Sequence, residues 1–490
     1  MLTDIFGRRR PRVANRLGRS RRLLPAACLA SAMMGFGSWS APATAQDLIA
    51  VTGHFLHHSR FYPQYGPYWR VDLTLPLVKE LGVKTVHEAI YSLEAPQRAL
   101  ISGGKTDPAT LRIVEENRRL VGQWLSTYDA SGVKVVLAVL GLPPKTPREI
   151  AKNTEMFAWV TELVAAHPSV IAVQMHNEAN LPQFWKATPE EYVDTYRPLA
   201  QAIKARRPDV RIVGGAISSL WWGPGIGWLK RAVDHGLLDF ADSIAVHPYN
   251  VDSPPEVDPH WRGAPVTDPD QREKALQAFW KQIEGWNKTG KRLDLFFTEF
   301  GWNTATTGRA HVDEATQADY LARSFLIFQD VRLKGVPLRS AHWYDLKDDG
   351  EKDDKGEHRY GLVSYDLTRR KPAFQAMKAL NAYFGQTDAF EVSKRRVEVS
   401  TPGAPVKVKS WRRKSDGAEV IAFWSTGLDG VQGGQAAATL RIDGIKAATG
   451  RLFFADERKP QSINLKAEGS GSAASVEATS RPQWIELPGR

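Results

Sequence analysis

From Asp47 onward the chain alternates between two hydrophobic periods. Short apolar runs rich in β-branched and aromatic residues occur at Leu48–Phe55, Val83–Ala89, Val133–Leu140, Val170–His176, Val210–Gly215, Ser243–His247, Leu293–Thr298 and Ser340–Tyr344. Each carries little polar content until its end, as strands covered on both faces do. Between the runs, apolar residues recur at three- and four-residue steps. Thr188-Pro189-Glu190-Glu191 is a capping box with proline at the first helical position, and it opens a helix through Tyr192, Tyr196, Leu199 and Ile203. Leu276, Phe279, Trp280 and Ile283 mark a second helix. Asp313 to Lys334 forms a third, stopped by Gly335 and Pro337. Eight strands alternating with helices over roughly 300 residues predict an α/β fold, a (β/α)8 TIM barrel.

Around Thr387, after a last helix from Pro372 to Tyr383, the period changes to two. Runs at Arg396–Val399, Val406–Trp411, Glu419–Phe423, Ala438–Ile442, Arg451–Phe454 and Gln483–Leu487 are separated by Gly, Ser and Asp. They predict a β-sandwich of about a hundred residues. No cluster of exposed aromatic residues marks a sugar-binding face on it, so a passive stabilising role is the favoured expectation. The expected organisation is residues 1–45 as an export signal, 46–386 as the barrel and 387–490 as an accessory sandwich.

Charge bears out the separation of the first segment. The chain of 490 residues has a formal net charge of +11. Eight arginines and one acid lie in residues 1–45, and the remainder carries 57 basic and 53 acidic side chains, a net of +4. A surface for nucleic acid or another polyanion is therefore not implied. The arginine-rich start, the apolar stretch Leu23–Trp39 and the site Ala41-Pro42-Ala43-Thr44-Ala45 read as a cleavable export signal. Ser20-Arg21-Arg22-Leu23-Leu24 is similar to the twin-arginine signature. The apolar stretch is too short and too rich in Gly and Ser for a stable membrane span. The sole cysteine, Cys28, lies inside it, so the processed chain has no thiol, which suits a periplasmic or secreted location.

Chemistry concentrates at the ends of the predicted strands. Glu178 follows the fourth strand in Met175-His176-Asn177-Glu178, and Glu299 follows the seventh in Phe297-Thr298-Glu299-Phe300-Gly301-Trp302. Side chains at the carboxyl ends of barrel strands face the catalytic mouth. Two carboxylates there are what glycosidic-bond hydrolysis requires. Val246-His247-Pro248-Tyr249 ends the sixth strand, and Ala341-His342-Trp343-Tyr344-Asp345 ends the eighth. Each motif alone is compatible with ordinary core packing or a helix cap; together they converge on one mouth.

This combination resembles the clan A retaining glycoside hydrolases, closest to family 39-like and family 5-like bacterial enzymes, over about residues 47–385. Trp343-Tyr344-Asp345-Leu346-Lys347-Asp348-Asp349-Gly350 and Tyr360-Gly361-Leu362-Val363-Ser364-Tyr365-Asp366 are similar to segments of theirs. The resemblance implies Glu178 as acid/base and Glu299 as nucleophile. It implies Asn177 at the substrate's 2-hydroxyl, His247 and Tyr249 near the nucleophile, and Trp343 as the floor of the subsite of the cleaved sugar. Two positions depart from the pattern. Ala179 stands where many relatives have proline. Val86-His87-Glu88 ends the second strand where clan members usually place an arginine near the nucleophile. With His87 in that place, its charge would change within the working pH range, since its ordinary pKa is about 6.5.

Other rim candidates are aromatic: Tyr65, Tyr68, Trp69, Trp185, Trp221, Trp222, Trp261 and the motif's Trp302. Flat rings suit pyranose faces, and loop packing accounts equally well for about half of them. His54, His57 and His58 are candidates for hydrogen bonds to the sugar, with no metal-ligand spacing. Asp345, Asp348, Asp349, Asp353 and Asp354 miss the calcium-loop spacing and read as a solvated loop. The expectation is a cofactor-free, exported enzyme acting on a poly- or oligosaccharide. A non-catalytic polysaccharide-binding barrel and a transglycosylase are the alternatives.

Overall fold

The apolar runs become the staves of a closed barrel. A computed structural model describes residues 47–56, 67–91, 108–220, 223–257, 259, 268–308, 310–426 and 434–489. The staves are β1 (Ile49–Thr52), β2 (Thr85–Tyr91), β3 (Lys134–Leu140), β4 (Val170–Met175), β5 (Arg211–Ser218), β6 (Ser243–His247), β7 (Asp294–Phe300) and β8 (Leu338–Trp343). They pair in parallel in chain order, and β8 returns to β1 through Ile49–Ala341 and Val51–Trp343. Helices α1 (Val71–Glu80), α2 (Pro108–Ser131), α3 (Pro147–Ala166), α4 (Pro189–Arg206), α5 (Gly223–Asp234), α6 (Leu237–Phe240), α7 (Gln271–Trp286), α8 (Glu314–Leu333) and α9 (Pro372–Phe384) follow the strands. The predicted capping box of α4 is formed: the Thr188 hydroxyl accepts from the Glu191 amide, and the Glu191 carboxylate accepts from the Thr188 amide. None of the described helices is long and apolar enough to cross a membrane.

Inside the barrel, Val136, Ala172, Val213, Ala216, Ala245 and Phe296 form one buried layer. Above it Ala89, Ala138 and Leu140 form a smaller group, and the two alanines leave space at the mouth. The alternate positions face the helices, as period two requires: Phe297 of β7 meets Phe328 of α8 with ring centroids 5.0 Å apart.

The C-terminal strands form two antiparallel sheets. They are β9 (Phe390–Val392), β10 (Val397–Ser400), β11 (Val406–Arg413), β12 (Glu419–Ser425), β13 (Ala436–Ile442), β14 (Thr449–Phe454), β15 (Gln461–Asn464), β16 (Lys466–Glu468), β17 (Gly471–Ala478) and β18 (Gln483–Leu487). One sheet runs β10-β13-β17-β16 and the other β15-β14-β18-β12-β11-β9. The expected sandwich is present, with four strands more than the alternation predicts. Its outer core is separate, around Ile421, Phe423, Leu440 and Ile485. Its Trp411, Trp424 and Trp484 instead join the main core that extends from the barrel.

Candidate active site

Two backbone departures aim the paired acids. At the end of β4, His176 and Glu178 have φ of 67° and 41°, left-handed values that a residue with a Cβ adopts only when its surroundings enforce them. The surroundings are specific. The Gln174 amide donates to the His176 carbonyl at 2.9 Å, the Leu181 amide donates to the Glu178 carbonyl at 2.8 Å, and the His176 ring meets Trp185 edge-on at 5.0 Å. On β7 the pairing register with β8 shifts between Phe297 and Phe300. Strict alternation would leave Glu299 on the helix-facing side with Phe297. The shift keeps Phe300 against Phe325 and Phe328 and turns Glu299 to the mouth.

His247 at the end of β6 ties the acids together. Its Nδ1 lies 2.9 Å from Glu178 Oε1 and 3.5 Å from Glu299 Oε2, and its Nε2 lies 3.0 Å from the Thr298 hydroxyl. The Tyr249 hydroxyl donates to Glu299 Oε2 at 3.1 Å. An oxygen of Glu178, a nitrogen of His247 and an oxygen of Glu299 all lie within 4.8 Å of one another. Both acids are over nine-tenths buried, at 8% and 7% exposure. Burial pushes the Glu299 carboxyl up to about 7; the His247 charge opposes the shift and the Glu178 charge adds to it. Burial alone would depress His247, but the two carboxylates outweigh it and leave the imidazole raised. Glu299 and His247 thus hold their protons jointly.

The acids open into a cavity of about 390 Å³, also lined by His54, His87, Asn177 and Tyr249. The Asn177 side-chain oxygen has no hydrogen-bond partner among the described residues, so it is free to meet a ligand. His87 lines the wall, and neither of its ring nitrogens makes a well-formed hydrogen bond, although the Gln174 side chain is adjacent. The expectation that its charge supports Glu299 does not hold. Burial, with His342, His247 and His54 around it, holds His87 well below the ordinary histidine range. The ring is a neutral wall of the cavity, and the cation beside Glu299 is His247.

Four aromatic expectations change for one reason: their rings are covered. Trp343 is fully buried, with its indole nitrogen on the Tyr360 carbonyl and its ring between Phe300 and Trp302. Trp302 is buried too and donates to the Ser253 carbonyl at 3.0 Å. Trp185 is buried among His176, Tyr192 and Tyr196. The ring that β8 presents to the cavity is Tyr344, one residue beyond Trp343, and it packs edge-on to Tyr249 and Tyr360. Trp69 is buried under His54, with centroids 5.4 Å apart. Trp222, with Trp221, Trp261, Tyr65, His57, His58 and the signal segment, lies outside the described residues.

The acidic loop after β8 is solvated only in part: Asp353 and Asp354 are exposed as expected, but the start of the loop is not. Asp345 and Asp348 are buried, Asp348 pairs with the equally buried Lys371 at 2.7 Å, and the Lys347 ammonium sits 4.5 Å from the centroid of the Trp69 ring. His54, Asp345 and Asp349 bring one ligating atom each within 4.8 Å of one another. They and the Glu178–His247–Glu299 group are the two sets of described side chains with that proximity. Cavity residues not singled out from the sequence include Tyr344, Tyr360, Phe184 and Glu357. Tyr344 and Tyr360 stood inside recognised motifs, but no local pattern distinguishes a cavity tyrosine from a core one. Glu357 stands among the charged residues of a turn and carries no signal at all.

No protein-family model matches the chain, and no curated protein sequence matches it. Solved structures do match. A family 39 glycoside hydrolase from the gut symbiont Bacteroides cellulosilyticus WH2 superposes with a TM-score of 0.62 at 19% identity, over 91% of this chain and 82% of its own. A glucosidase from Croceicoccus marinus does so with 0.55 at 14% identity, over 91% and 96%. AbfB, a family 51 alpha-L-arabinofuranosidase from Bifidobacterium longum, gives 0.52 at 16% identity, over 91% and 97%. The class this chain shares with them is one of fold, and the chemistry has to be argued from its own side chains.

Proposed function

We propose that the protein is a retaining glycoside hydrolase. One observation carries the reading: two buried carboxylates, from the ends of β4 and β7, bring oxygens within 4.8 Å of each other in one cavity. Retention needs carboxyls about 5–5.5 Å apart, whereas inversion needs about 6.5–9.5 Å to admit a water between acid and sugar. The short separation supports the retaining route. Glu299 attacks the anomeric carbon, and the bond to the departing oxygen breaks as Glu178 delivers a proton to it. Water then enters, Glu178 takes its proton, and the bond between Glu299 and the sugar is cleaved. His247 holds the pair: it hydrogen-bonds Glu178 and places its charge beside Glu299. Tyr249 donates to the nucleophile and releases it as the glycosyl ester forms. The fold likeness to three glycosidases supports the same reading. The leader of residues 1–45 supports export, and a bacterial exopolysaccharide or another extracellular glycan is the substrate we assign.

The test is chemical. Glu178→Ala is expected to keep its first step on aryl glycosides with good leaving groups and to yield a glycosyl azide of retained configuration when azide is supplied. Glu299→Ala is expected to lose that step, and a 2-fluoro glycoside is expected to label Glu299 in the native enzyme. An azide product of inverted configuration with Glu178→Ala, or a label on another residue, overturns the assignment.

A further inference from the structure

Double displacement uses two carboxylates, and the cavity holds a third. Glu357 lies on the turn Gly356–His358 after β8 and lines the same cavity as Glu178 and Glu299. Its neighbours in that loop are spoken for. Asp348 pairs with Lys371 and Arg359, and Asp353 pairs with Arg359 at 3.0 Å. The Glu357 carboxylate makes no hydrogen bond and no ion pair among the described residues, and it is exposed toward the opening.

The rest of the lining sharpens the contrast. Among the described residues that line the cavity there is no lysine and no arginine. Its imidazoles, His54 and His87, are held neutral by burial, with His54 pushed down to about 3. His87 adds a second feature: it is 2% exposed and its ring nitrogens have no well-formed hydrogen bond, so the wall has polar capacity that a ligand can use. A uronate entering such a cavity would bring a negative charge toward three carboxyl groups with one cation, His247, already engaged by two of them. An ammonium would find a carboxylate with no ion-pair partner among the described residues. Its pKa is raised by burial and by the Glu178 charge, which the ammonium would offset, and is opposed only by the charge of Lys355, which does not line the cavity. Charge-assisted hydrogen bonds of this kind are about twice as strong as neutral ones.

We propose that Glu357 makes the site selective for glycans carrying free amines, the de-N-acetylated amino sugars, over their neutral counterparts, and against uronates. This rests on the glycosidase reading for the site and adds its substrate class.

The experiment compares native enzyme and Glu357→Gln on glycosides that differ only at C2, as amine, acetamide or hydroxyl, in the gluco, galacto and manno series. Chitosan oligomers, their fully N-acetylated forms and oligogalacturonate serve as polymeric probes. Binding of the same oligomers to Glu178→Gln is measured by calorimetry. The expected result is a preference for the amine that falls about tenfold in Glu357→Gln, the effect of losing one charge-assisted hydrogen bond. The preference is also expected to weaken as ionic strength rises. Turnover with no preference for the amine, or a preference that Glu357→Gln leaves intact, overturns the proposal and leaves the glycosidase reading standing. No turnover of any glycoside, with Glu357-dependent binding of chitosan oligomers, overturns the glycosidase reading and keeps the selectivity. Neither turnover nor binding overturns both.

Discussion

His247 and Glu88 show how much the placement of one side chain decides. His247 is the cation beside Glu299, 3.5 Å from its Oε2, while burial and Glu178 both favour the protonated acid. A nucleophile must be ionised, so kcat/KM is expected to rise with pH through about 7, the Glu299 value in the free site. His247→Gln keeps a polar side chain but removes the charge. The acid limb is then expected to move to higher pH by about one unit or more, the usual effect of an adjacent opposite charge. A limb that stays in place would show that another group controls the nucleophile. Glu88 is the neighbour of His87 on β2 and points the other way. Its carboxyl takes a hydrogen bond from the Tyr128 hydroxyl at 2.7 Å and one from the Leu56 amide at 3.3 Å, yet burial still pushes it up to about 7. The folded protein therefore holds a proton there that the unfolded chain releases near the ordinary carboxyl pKa of about 4.3. Its contribution to stability is greatest in acid and declines as pH rises through about 7, by an amount on the order of 3 kcal/mol. Glu88→Gln mimics the protonated acid, with an oxygen to accept from the Leu56 amide and an NH2 to donate to the Tyr128 oxygen, and is expected to flatten the fall of Tm over that window. A slope equal to that of the native protein would sink the argument.

At the scale of elements, the strand ends matter more than the strands. Trp185 lies in the loop after β4 and packs on His176, whose left-handed backbone precedes the equally left-handed Glu178. Trp185→Ala removes that packing and is expected to cost about 3–5 kcal/mol of stability, as large aromatic truncations in cores do. It is also expected to lower kcat well beyond what lost stability explains, because Glu178 is no longer held in its strained orientation. Trp185→Phe keeps a ring against His176 and is expected to recover most of the rate. Equal kcat in both variants at a temperature where both are folded would return Trp185 to simple core packing. This is also where legibility in the sequence ends. The barrel was readable because eight apolar runs, such as Val133–Leu140 and Leu293–Thr298, carry their period whatever surrounds them. The β7 register shift and the two positive φ values are set by tertiary contacts and leave no local pattern, so the acids were found by type and place but not by orientation. Trp343 and Tyr344 are adjacent, and a one-residue difference at the end of β8 decides which ring meets the cavity. In the sandwich, Gly471–Ala478 was missed because its Ala and Ser side chains lack the hydrophobic contrast on which period-two reading depends.

Across the whole molecule, the barrel and the C-terminal sheets share a charged and aromatic interior. Helix α8 is covered nearly all round: the barrel on one side, the sheets on the other. Its Arg323, 2% exposed, makes paired hydrogen bonds of 2.9 and 2.7 Å to Glu256 in the loop after β6. The same groups reach the sandwich, where Arg323 donates to the Thr426 carbonyl at 2.8 Å and the Trp424 indole donates to Glu256 at 2.8 Å. Burial raises the pKa of Glu256, but the charge and hydrogen bonds of Arg323, with the Lys407 charge and the Trp424 hydrogen bond, together outweigh it and leave the acid lowered, so it is ionised at neutral pH. Lys409 of β11 likewise reaches Glu273 on α7 and Asp330 on α8, at 2.8 and 3.1 Å. Phe384 of α9 packs on Trp411 and Trp484. A sandwich joined this way is a wall of the barrel's core. It follows that residues 387–490 are not removable without exposing apolar surface and taking the Thr426 and Trp424 hydrogen bonds from Arg323 and Glu256. Arg323→Ala leaves a carboxylate buried without its cation and is expected to cost about 3–5 kcal/mol. Replacing both partners, Arg323→Met with Glu256→Gln, is expected to recover most of that loss, because no buried charge is then left alone. Calorimetry is expected to show barrel and sandwich melting in one transition, at a Tm that falls in the single variant and returns toward the native value in the double. Two separate transitions in the native protein, or a truncated chain ending at 386 that melts cooperatively at the native Tm, would show that the two sheets are an independent module after all.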